Sequence, residues 1–324
     1  MTRMNRHECD LHCHTTRSDG NDTPADLIDN AAAAGVRVVA ITDHDVQPPL
    51  SLCVDARGSH VDIHSYARER GVELVLGYEF SCDTYVDDVH ILGYRMDWTS
   101  EELAREVKRA RESKTEAYMR LCEKLTSKGM PLDFEEDVLA LLGGSNEGKS
   151  ASPDEVERKH VFEAMARKGY APTWKDAKLI VRDDPELNVR REKIDPVRAI
   201  HLIKSLGGTA VLAHPLLIDE TVSYPDGRVF TRREYIWRLI CEGLDGMEAS
   251  YPYSKTSYKG RWSDTEAEAY IRGEFGSKLK LLTGGSDYHA DERKGVSNPR
   301  YIGEGGISLK EYEAVREFLR VQSP

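Results

Sequence analysis

The sequence lacks the cysteine patterns that indicate a disulfide framework or a C-x-x-C site. Its six cysteines are scattered along 324 residues, and no two of them form a C-x-x-C pair. In a chain of this length, such usage is typical of thiols in a reducing compartment. We therefore expect unpaired cysteines and no disulfide bonds.

Long apolar runs and blocks of basic residues are also missing. The first ten residues, MTRMNRHECD, contain no apolar core of a secretory signal. The stretch AAAAGVRVVAI is interrupted by Gly35 and Arg37 and is too short to span a bilayer. The net charge of −11 argues against capture of duplex DNA by charge alone. We therefore expect a soluble, cytoplasmic protein that binds neither membranes nor duplex DNA.

Short apolar runs alternate with helical patterns along much of the chain. Helices are predicted at 23–35, which opens with Thr23 and Pro24 and ends at Gly35, and at 195–207. This alternation predicts an α/β protein with parallel strands, as a barrel or a layered sheet. The apolar runs that predict buried strands lie at residues 36–42, 72–76, 89–94, 208–214, 244–250 and 280–287.

A segment without strand patterns interrupts this alternation. Charged helical patterns begin at Ser100 and at Ser152. No convincing strand pattern occurs anywhere in residues 98–195. We therefore predict a mainly helical insertion at 98–195 between two barrel segments, 1–97 and 196–324.

One stretch of the insertion, GGSNEGKS at 143–150, fits the phosphate-binding loop pattern of nucleotide triphosphatases. That motif needs a strand before it and an apolar helix after it. Here the preceding FEEDVLALL has a helical pattern, and Pro153 follows closely after Ser150. We therefore interpret the stretch as a flexible loop between helices. The G-x-S-x-G pattern of a serine nucleophile is absent as well.

Histidines and carboxylates cluster where the predicted strands end. Side chains alternate faces along a strand, so Asp10, His12 and His14 of DLHCH share one face. The remaining candidates are Asp19, Asp43, His44, Glu79, His90, His214, Asp287 and His289. Six of the eleven histidines belong to this set, and such a buried convergence would be costly without a cation. The nitrogen and oxygen ligands suit two or three divalent ions such as Mn²⁺, Zn²⁺ or Fe²⁺. Asp10 and Asp43 flank the ligands and are expected to orient imidazoles.

The motifs DLHCH, TDH, AHP and SDYH occur in this order at strand ends, and in them the sequence resembles the PHP (polymerase and histidinol phosphatase) family. The resemblance covers residues 8–95 and 196–320. It implies a distorted (β/α)7 TIM-like barrel with a metal cluster at the carboxyl-terminal face. The implied ligand sets are His12, His14, Glu79 and Asp287 for one metal, Glu79, His90 and His214 for a second, and Asp19, His44 and His289 for a third.

With Asp19 in its SDG motif, the sequence resembles the branch of the family that hydrolyses small molecules, such as AMP and nucleoside 3′,5′-bisphosphates. That branch implies that the insertion caps the substrate and binds its phosphate through an Arg-x-His pattern. The segment ERKHVF supplies Arg158 and His160 for this role. Such a pair can form charge-assisted hydrogen bonds to phosphate, and a solvated helix face is the alternative interpretation.

The resemblance implies a metal-dependent phosphatase or phosphodiesterase in which a metal-bridging hydroxide attacks phosphorus. Glu79, His214 and Asp287 are the expected catalytic residues. The expected substrate is a small phosphorylated metabolite, such as a nucleoside 3′,5′-bisphosphate, a nucleotide or a cyclic ribose phosphate. The main alternative is a 5′→3′ exoribonuclease acting on short RNA, although the insertion has few aromatic residues for an RNA track. A non-catalytic domain of a polymerase and an amidohydrolase are weaker alternatives.

Overall fold

The structure is a computed structural model that describes residues 7–53, 58–143 and 152–320. The GGSNEGKS stretch lies outside the described residues from position 144 onward. Its interpretation as a loop therefore stays a prediction.

The chain divides into two compact units. One is formed by Met1–Ala104 and Ile194–Pro324, and the other by Arg105–Lys193. The second unit lies inside the insertion that we predicted at 98–195. The role of that insertion as a cap over the substrate stays a prediction.

A seven-stranded sheet forms the centre of the first unit, in the order β1-β2-β5-β6-β7-β10-β11. Six of its strands coincide with the six predicted apolar runs. The hairpins β3–β4 and β8–β9 form two separate small sheets that the sequence patterns did not predict. The strands are β1 (Cys9–Asp10), β2 (Val38–Ile41), β3 (Ser51–Cys53), β4 (His60–Asp62), β5 (Glu73–Ser81), β6 (His90–Tyr94), β7 (Thr209–Leu212), β8 (Thr221–Ser223), β9 (Val229–Thr231), β10 (Gly246–Ser250) and β11 (Leu281–Gly284).

The two outer strands of this sheet approach each other, so that the sheet is nearly a closed barrel. The Leu11 N–H donates to the Gly284 carbonyl at 3.1 Å, and the His14 N–H donates to the Tyr288 carbonyl at 2.8 Å. Cys13 and Tyr288 also form a parallel bridge. The fold is the distorted TIM-like barrel that we predicted.

The barrel departs from a regular β/α barrel in the direction of one strand, β6. The strands β1, β2 and β5 are parallel, as are β7, β10 and β11, but β6 is antiparallel to both β5 and β7. His90, the first residue of β6, is therefore paired with Ser81, the last residue of β5. This direction places His90 at the end of the barrel where the parallel strands finish.

Ten α-helices occur in the described residues, and the caps of the first one follow the sequence signals. The Thr23 hydroxyl accepts the Asp26 N–H at 3.1 Å, and Gly35 ends the first helix with a φ of 78°. The helices are α1 (Pro24–Ala34), α2 (Ile63–Glu69), α3 (Glu101–Ser127), α4 (Ala140–Gly143), α5 (Arg158–Arg167), α6 (Trp174–Asp183), α7 (Pro196–Ser205), α8 (Arg232–Cys241), α9 (Asp264–Phe275) and α10 (Leu309–Leu319). None of them is both apolar enough and long enough to cross a membrane.

The strands of the barrel are apolar on both faces because both faces are covered. In β5, Val75 packs in the cluster inside the barrel, whereas Leu74 and Leu76 pack in the cluster between the sheet and its outer helices. This burial explains why the strands appear in the sequence as continuous apolar runs.

The second unit is built from helices around a core of its own. Besides α4, α5, α6 and most of α3, it contains a π-helical turn at Phe134–Leu139. Leu125, Phe134, Val161 and Met165 are among the buried residues of its core. The described part of this unit contains no strand.

A buried carboxylate ties strands together at the amino-terminal end of the barrel. Asp245 precedes β10, and only 5% of its side chain is exposed. It pairs with Lys204 at 3.0 Å and Lys280 at 2.7 Å, and it accepts the Ala210 N–H at 3.2 Å. Burial opposes ionisation, but these partners lower the pKa of Asp245 below its ordinary value.

We expect Asp245→Asn to lower the free energy of unfolding by about 2 kcal/mol at pH 7, because the buried side chain then offers no charge and only one acceptor oxygen to Lys204, Lys280 and the Ala210 N–H. A carboxylate with a lowered pKa stabilises the fold above its unfolded pKa and loses that effect as the pH falls through the folded pKa. The difference between the two proteins should therefore shrink below about pH 4 in urea unfolding. As a control, Asp226→Asn removes only an exposed ion pair with Arg228 and should change stability by less than about 1 kcal/mol. A pH-independent difference would contradict the assignment.

Candidate metal centre

The predicted metal ligands lie together at the carboxyl-terminal end of the barrel strands. Eight of the nine are buried or partly buried, whereas Asp19 has 48% of its side chain exposed. Their positions are His12, His14 and Asp19 after β1, His44 after β2, Glu79 within β5, His90 at the start of β6, His214 after β7, and Asp287 and His289 after β11.

The ligand atoms form three overlapping groups, and within each group all the atoms lie within 4.8 Å of one another. The groups are His12, His14, Glu79 and Asp287; His44, Glu79 and His90; and His14, Asp19, His44 and His289. The first group is the set that the resemblance implied, and the third adds His14 to an implied set. The second contains His44 where the resemblance implied His214. The assignment of each residue to a metal stays a prediction.

The Glu79 carboxylate is the centre of the arrangement. It is fully buried, and imidazole nitrogens approach both of its oxygens. The distances are 3.0 Å from Oε2 to His12 Nε2, 3.0 Å from Oε2 to His14 Nε2, 3.2 Å from Oε2 to His44 Nδ1, 2.9 Å from Oε1 to His90 Nδ1 and 3.3 Å from Oε1 to His214 Nε2. One carboxylate thus faces two sets of imidazoles with two different oxygens, as a group that bridges two cations does.

Asp287 and Asp19 supply the other carboxylates. Asp287 Oδ1 lies 3.1 Å from His14 Nε2 and 3.6 Å from His12 Nε2. Asp19 Oδ1 lies 3.1 Å from His289 Nε2 and 3.7 Å from His14 Nδ1. His14 therefore stands between the two carboxylates and belongs to two of the groups.

The donor set fits divalent cations. His12 Nε2 lies 3.1 Å from His14 Nε2, and His90 Nδ1 lies 3.2 Å from His214 Nε2, so lone pairs converge on the same space. His44 Nδ1 is buried and makes no hydrogen bond within the part of the chain that the structure describes, although Glu79 is near. Imidazole nitrogens and carboxylate oxygens without sulfur suit Zn²⁺, Mn²⁺ or Fe²⁺.

The carboxylates of the centre attract positive charge. Burial lowers the pKa of His14, but Asp287 and Glu79 outweigh burial and raise that pKa to about 10. At His90, burial prevails over the attraction of Glu79 and lowers the pKa to about 3. Because a metal binds only the unprotonated imidazole, cations compete with protons for these nitrogens.

Glu248, which sequence reasoning missed, orients two of the ligands from the inside of the barrel. It is fully buried in β10. His12 Nδ1 lies 3.1 Å from its Oε1, and the His214 backbone N–H donates to its Oε2 at 2.8 Å. A hydrogen bond from Nδ1–H to Glu248 leaves His12 Nε2 unprotonated and directed at Glu79. A lone glutamate in the apolar strand GMEAS was the only signal in the sequence.

The carboxylates of Asp10 and Asp43 bind backbone N–H and hydroxyl groups beside the ligands, and their expected part in orienting the imidazoles stays a prediction. Asp10 accepts the Ser286 N–H at 2.9 Å and the Gly303 N–H at 2.7 Å. Asp43 accepts the Thr15 N–H at 2.7 Å and the Ser18 hydroxyl at 2.6 Å. Asp10 ends β1 and Asp43 follows β2, and each carboxylate accepts backbone N–H groups of nearby loops. They fix the loops that carry the ligands.

Arg300 and Tyr251 hold the second oxygen of Asp287, and sequence reasoning missed both. The Tyr251 hydroxyl donates to Asp287 Oδ2 at 2.8 Å, and the Arg300 guanidinium bonds the same oxygen. Arg300 has only 14% of its side chain exposed and also contacts Asp291 at 3.3 Å. Asp287 is therefore left with Oδ1 alone to face the imidazoles.

Two ligands occupy backbone conformations that are uncommon for residues with side chains. The φ angle is 29° at His214 and 51° at Asp287. Between β11 and Asp287, Gly285 packs so closely that a Cβ there would lie 2.2 Å from the His12 Cβ. Such strain, kept at a cluster of polar residues, is typical of a functional site.

The predicted phosphate-binding pair lies in the second unit, on α5. The Arg158 guanidinium is 5.9 Å from the centre of the Phe162 ring. His160 Nδ1 accepts the Glu157 N–H at 2.9 Å, so this ring caps its own helix and leaves Nε2 for other partners. The phosphate-binding role of both residues stays a prediction.

We expect Glu248→Gln to weaken metal binding about 10- to 100-fold, because glutamine has one acceptor oxygen where His12 and His214 use two. The measurement is competition for bound Mn²⁺ or Zn²⁺ against a chelator of known affinity. Glu73→Gln is the matched control, since it removes a carboxylate at the other end of the same barrel. Equal metal affinity in the Glu248 variant and wild type would contradict the role of Glu248.

Added metal should raise the free energy of unfolding, and we expect this gain to be about 1–3 kcal/mol larger in Arg300→Met than in wild type. Without the guanidinium, the buried Asp287 charge has lost its cationic partner, and a bound cation compensates more of that loss. The measurement is the free energy of unfolding with and without Mn²⁺. Tyr251→Phe is the matched control, because it removes a bond to the same oxygen but no charge. A metal-induced gain in Arg300→Met equal to or below that of wild type would show that Arg300 does not balance Asp287.

Residues 10–168 match the PHP domain. A 5′-3′ exoribonuclease of Haemophilus influenzae is 28% identical over 279 residues, which cover 85% of this chain and 90% of the relative. A phosphoribosyl 1,2-cyclic phosphate 1,2-diphosphodiesterase of Eggerthella lenta is 26% identical, covering 86% and 93%. A 3′,5′-nucleoside bisphosphate phosphatase of Chromobacterium violaceum is 28% identical, covering 74% and 76%.

A solved structure shows the same fold. It is described as a metal-dependent phosphoesterase from Bifidobacterium adolescentis, superposes with a TM-score of 0.64 at 25% identity, and covers 97% of this chain and 96% of its own. The four ordered motifs, the barrel and these matches together show that the chain contains a PHP domain and is, like these relatives, a phosphoric ester hydrolase.

Proposed function

We propose that this enzyme removes a phosphate from a small phosphorylated nucleoside, with a nucleoside 3′,5′-bisphosphate as the preferred substrate, and that two or three divalent ions bind at the candidate metal centre. The observation that carries the proposal is the Glu79 carboxylate, whose two oxygens face separate imidazoles at 2.9–3.3 Å. Sites with two bridged cations are typical of phosphoester hydrolysis.

The bound ions supply Lewis acidity to a phosphate oxygen and make water a nucleophile near neutral pH. The chain supplies their placement. Glu79 offers one oxygen to each side, Asp287 offers Oδ1, and His214 is fixed by its backbone bond to Glu248. In this proposal Glu79, His214 and Asp287 are the catalytic residues because they touch the reacting centre through these atoms.

The substrate reaches the centre from the side of Asp19 and His44. These two ligands have 48% and 24% of their side chains exposed, whereas His12, His14 and Glu79 are fully buried. Water is therefore excluded behind the reacting phosphate, and electrostatic interactions inside are stronger than in bulk solvent.

The preference for a 3′,5′-bisphosphate rests on the relatives and on chemistry. One relative is a bisphosphate phosphatase and another an exoribonuclease. A nucleoside 3′,5′-bisphosphate carries the same two phosphates as the 5′-terminal nucleotide of a phosphorylated RNA. We rank the bisphosphate first because the insertion contains few aromatic residues on which successive bases could stack.

Exoribonuclease activity on short RNA is the second candidate. The Haemophilus exoribonuclease aligns with 85% of this chain, more than the 74% aligned with the bisphosphate phosphatase. Hydrolysis of a cyclic ribose phosphate is supported by the Eggerthella relative alone among the three.

We expect the metal-loaded enzyme to release phosphate fastest from adenosine 3′,5′-bisphosphate in a panel that includes AMP, ribose 1,2-cyclic phosphate 5-phosphate and a 5′-phosphorylated trinucleotide RNA. Activity should disappear after chelation and return with Mn²⁺, Zn²⁺ or Fe²⁺. Preferential release of 5′-mononucleotides from the RNA would favour the exoribonuclease. Turnover that persists in chelator, or none on any phosphate ester with all three metals, would refute the proposal.

We expect Arg158→Ala to raise KM about tenfold for the bisphosphate and less for a monophosphate, because a charge-assisted bond to the second phosphate is lost. Lys159→Ala is the matched control, since Lys159 lies beside Arg158 on α5 and pairs with Glu163 at 3.3 Å. Equal effects on the two substrates would remove Arg158 from the proposed role.

A further inference from the structure

A cavity of about 740 Å³ lies at the end of the barrel opposite the candidate metal centre. Arg37, which precedes β2, Glu73, which begins β5, and Arg95, which follows the antiparallel β6, all line it. These positions are the amino-terminal ends of the parallel strands, whereas the predicted metal ligands follow the carboxyl-terminal ends. The cavity is therefore separate from the metal centre, and its volume is typical of a small-molecule site.

The apolar part of this cavity lies along the outer face of β5, the face that also packs against the outer helices. Leu74 and Leu76, on this face, line the cavity together with Trp98. Leu50, at the rim, has 51% of its surface exposed. The cavity thus offers an apolar wall and one aromatic ring to a ligand.

The charged part of the cavity is basic, although the chain has a net charge of −11. Four arginines and two glutamates line it: Arg37, Arg68, Arg95, Arg320, Glu73 and Glu313. The glutamates are already neutralised. Arg320 donates to Glu73 at 2.6 Å, and Arg316 pairs with Glu73 at 3.5 Å and with Glu313 at 3.3 Å.

Two of the arginines have no such partner. Among the described residues, the side chains of Arg37 and Arg95 make no hydrogen bond or ion pair. His64 also lines the cavity, near two of its arginines. Burial and the nearby guanidinium groups of Arg320 and Arg68 lower its pKa, against the opposing carboxylate of Asp62. The cavity therefore has uncompensated positive charge beside an apolar wall.

We propose that this cavity binds a small organic phosphate of the nucleoside monophosphate class, with its phosphate on Arg37 and Arg95 and its base against Trp98 and Leu76. Guanidinium groups form paired, charge-assisted hydrogen bonds to phosphate oxygens. An aromatic base fits the apolar wall and the indole ring. This site is independent of the proposed activity at the metal centre.

The test is calorimetric titration of the metal-loaded enzyme with a non-hydrolysable 5′-phosphonate analogue of AMP. We expect two binding events in wild type, one at each end of the barrel. Arg37→Gln/Arg95→Gln should weaken one of them at least about tenfold, since each charge-assisted bond contributes that much or more. The same variant should retain its turnover of a generic aryl phosphate, because neither arginine lies at the metal centre. Arg228→Gln/Arg233→Gln removes the same charge from the surface of the same unit and should leave both events unchanged.

A third variant distinguishes binding at one end of the barrel from binding at the other. His14→Ala should lose the event at the metal centre and retain the event that depends on Arg37 and Arg95. Adenosine and inorganic phosphate, titrated alone, should each bind more weakly than the phosphonate. The proposal is overturned if the double arginine variant titrates as wild type does, if no second event occurs, or if adenosine binds as tightly as the phosphonate.

Discussion

The constraint on which this structure depends is the compensation of one buried charge. The Glu79 carboxylate has no exposed surface and lies within 3.3 Å of imidazoles from four different segments of the chain. A buried carboxylate is costly unless positive charge and hydrogen bonds compensate it. Here the compensation requires that histidines from distant segments of the chain meet around Glu79. The barrel provides that place, because the ends of its strands meet in a ring.

The antiparallel direction of β6 has consequences at both ends of the barrel. At the carboxyl-terminal end it brings His90 to 2.9 Å from Glu79, which a parallel strand beginning at the same residue would not do. At the amino-terminal end it places Arg95, which follows β6, in the lining of the cavity. One departure from a regular β/α barrel thus accounts for a ligand of the candidate centre and for an arginine of the second candidate site.

Local patterns predicted the alternating strands and helices and the meeting of the candidate ligands at strand ends, whereas the barrel itself was implied by the resemblance to the PHP family. Alternation in DLHCH places His12 and His14 on one face without reference to the rest of the chain. Glu248 escaped prediction because its partner His12 is 236 residues away, and a single glutamate in a strand has no period. Arg300 lies in a loop, where no pattern indicates which carboxylate it will contact. Nearness in sequence does not decide hydrogen-bond partners either, since Asp43 precedes His44 but accepts hydrogen bonds from Thr15 and Ser18.

The central claim is that Glu79 joins two cation sites, and metal stoichiometry tests it most directly. Wild type and Glu79→Gln, stripped with chelator and dialysed to equilibrium against Mn²⁺ or Zn²⁺, would be analysed for ions bound per chain. Glutamine keeps the size of the side chain but offers one acceptor oxygen and no charge, so it cannot bridge two cations as a carboxylate does. The account predicts at least two ions in wild type and at least one fewer in the variant. Fewer than two ions in wild type, or equal numbers in both proteins, would contradict it.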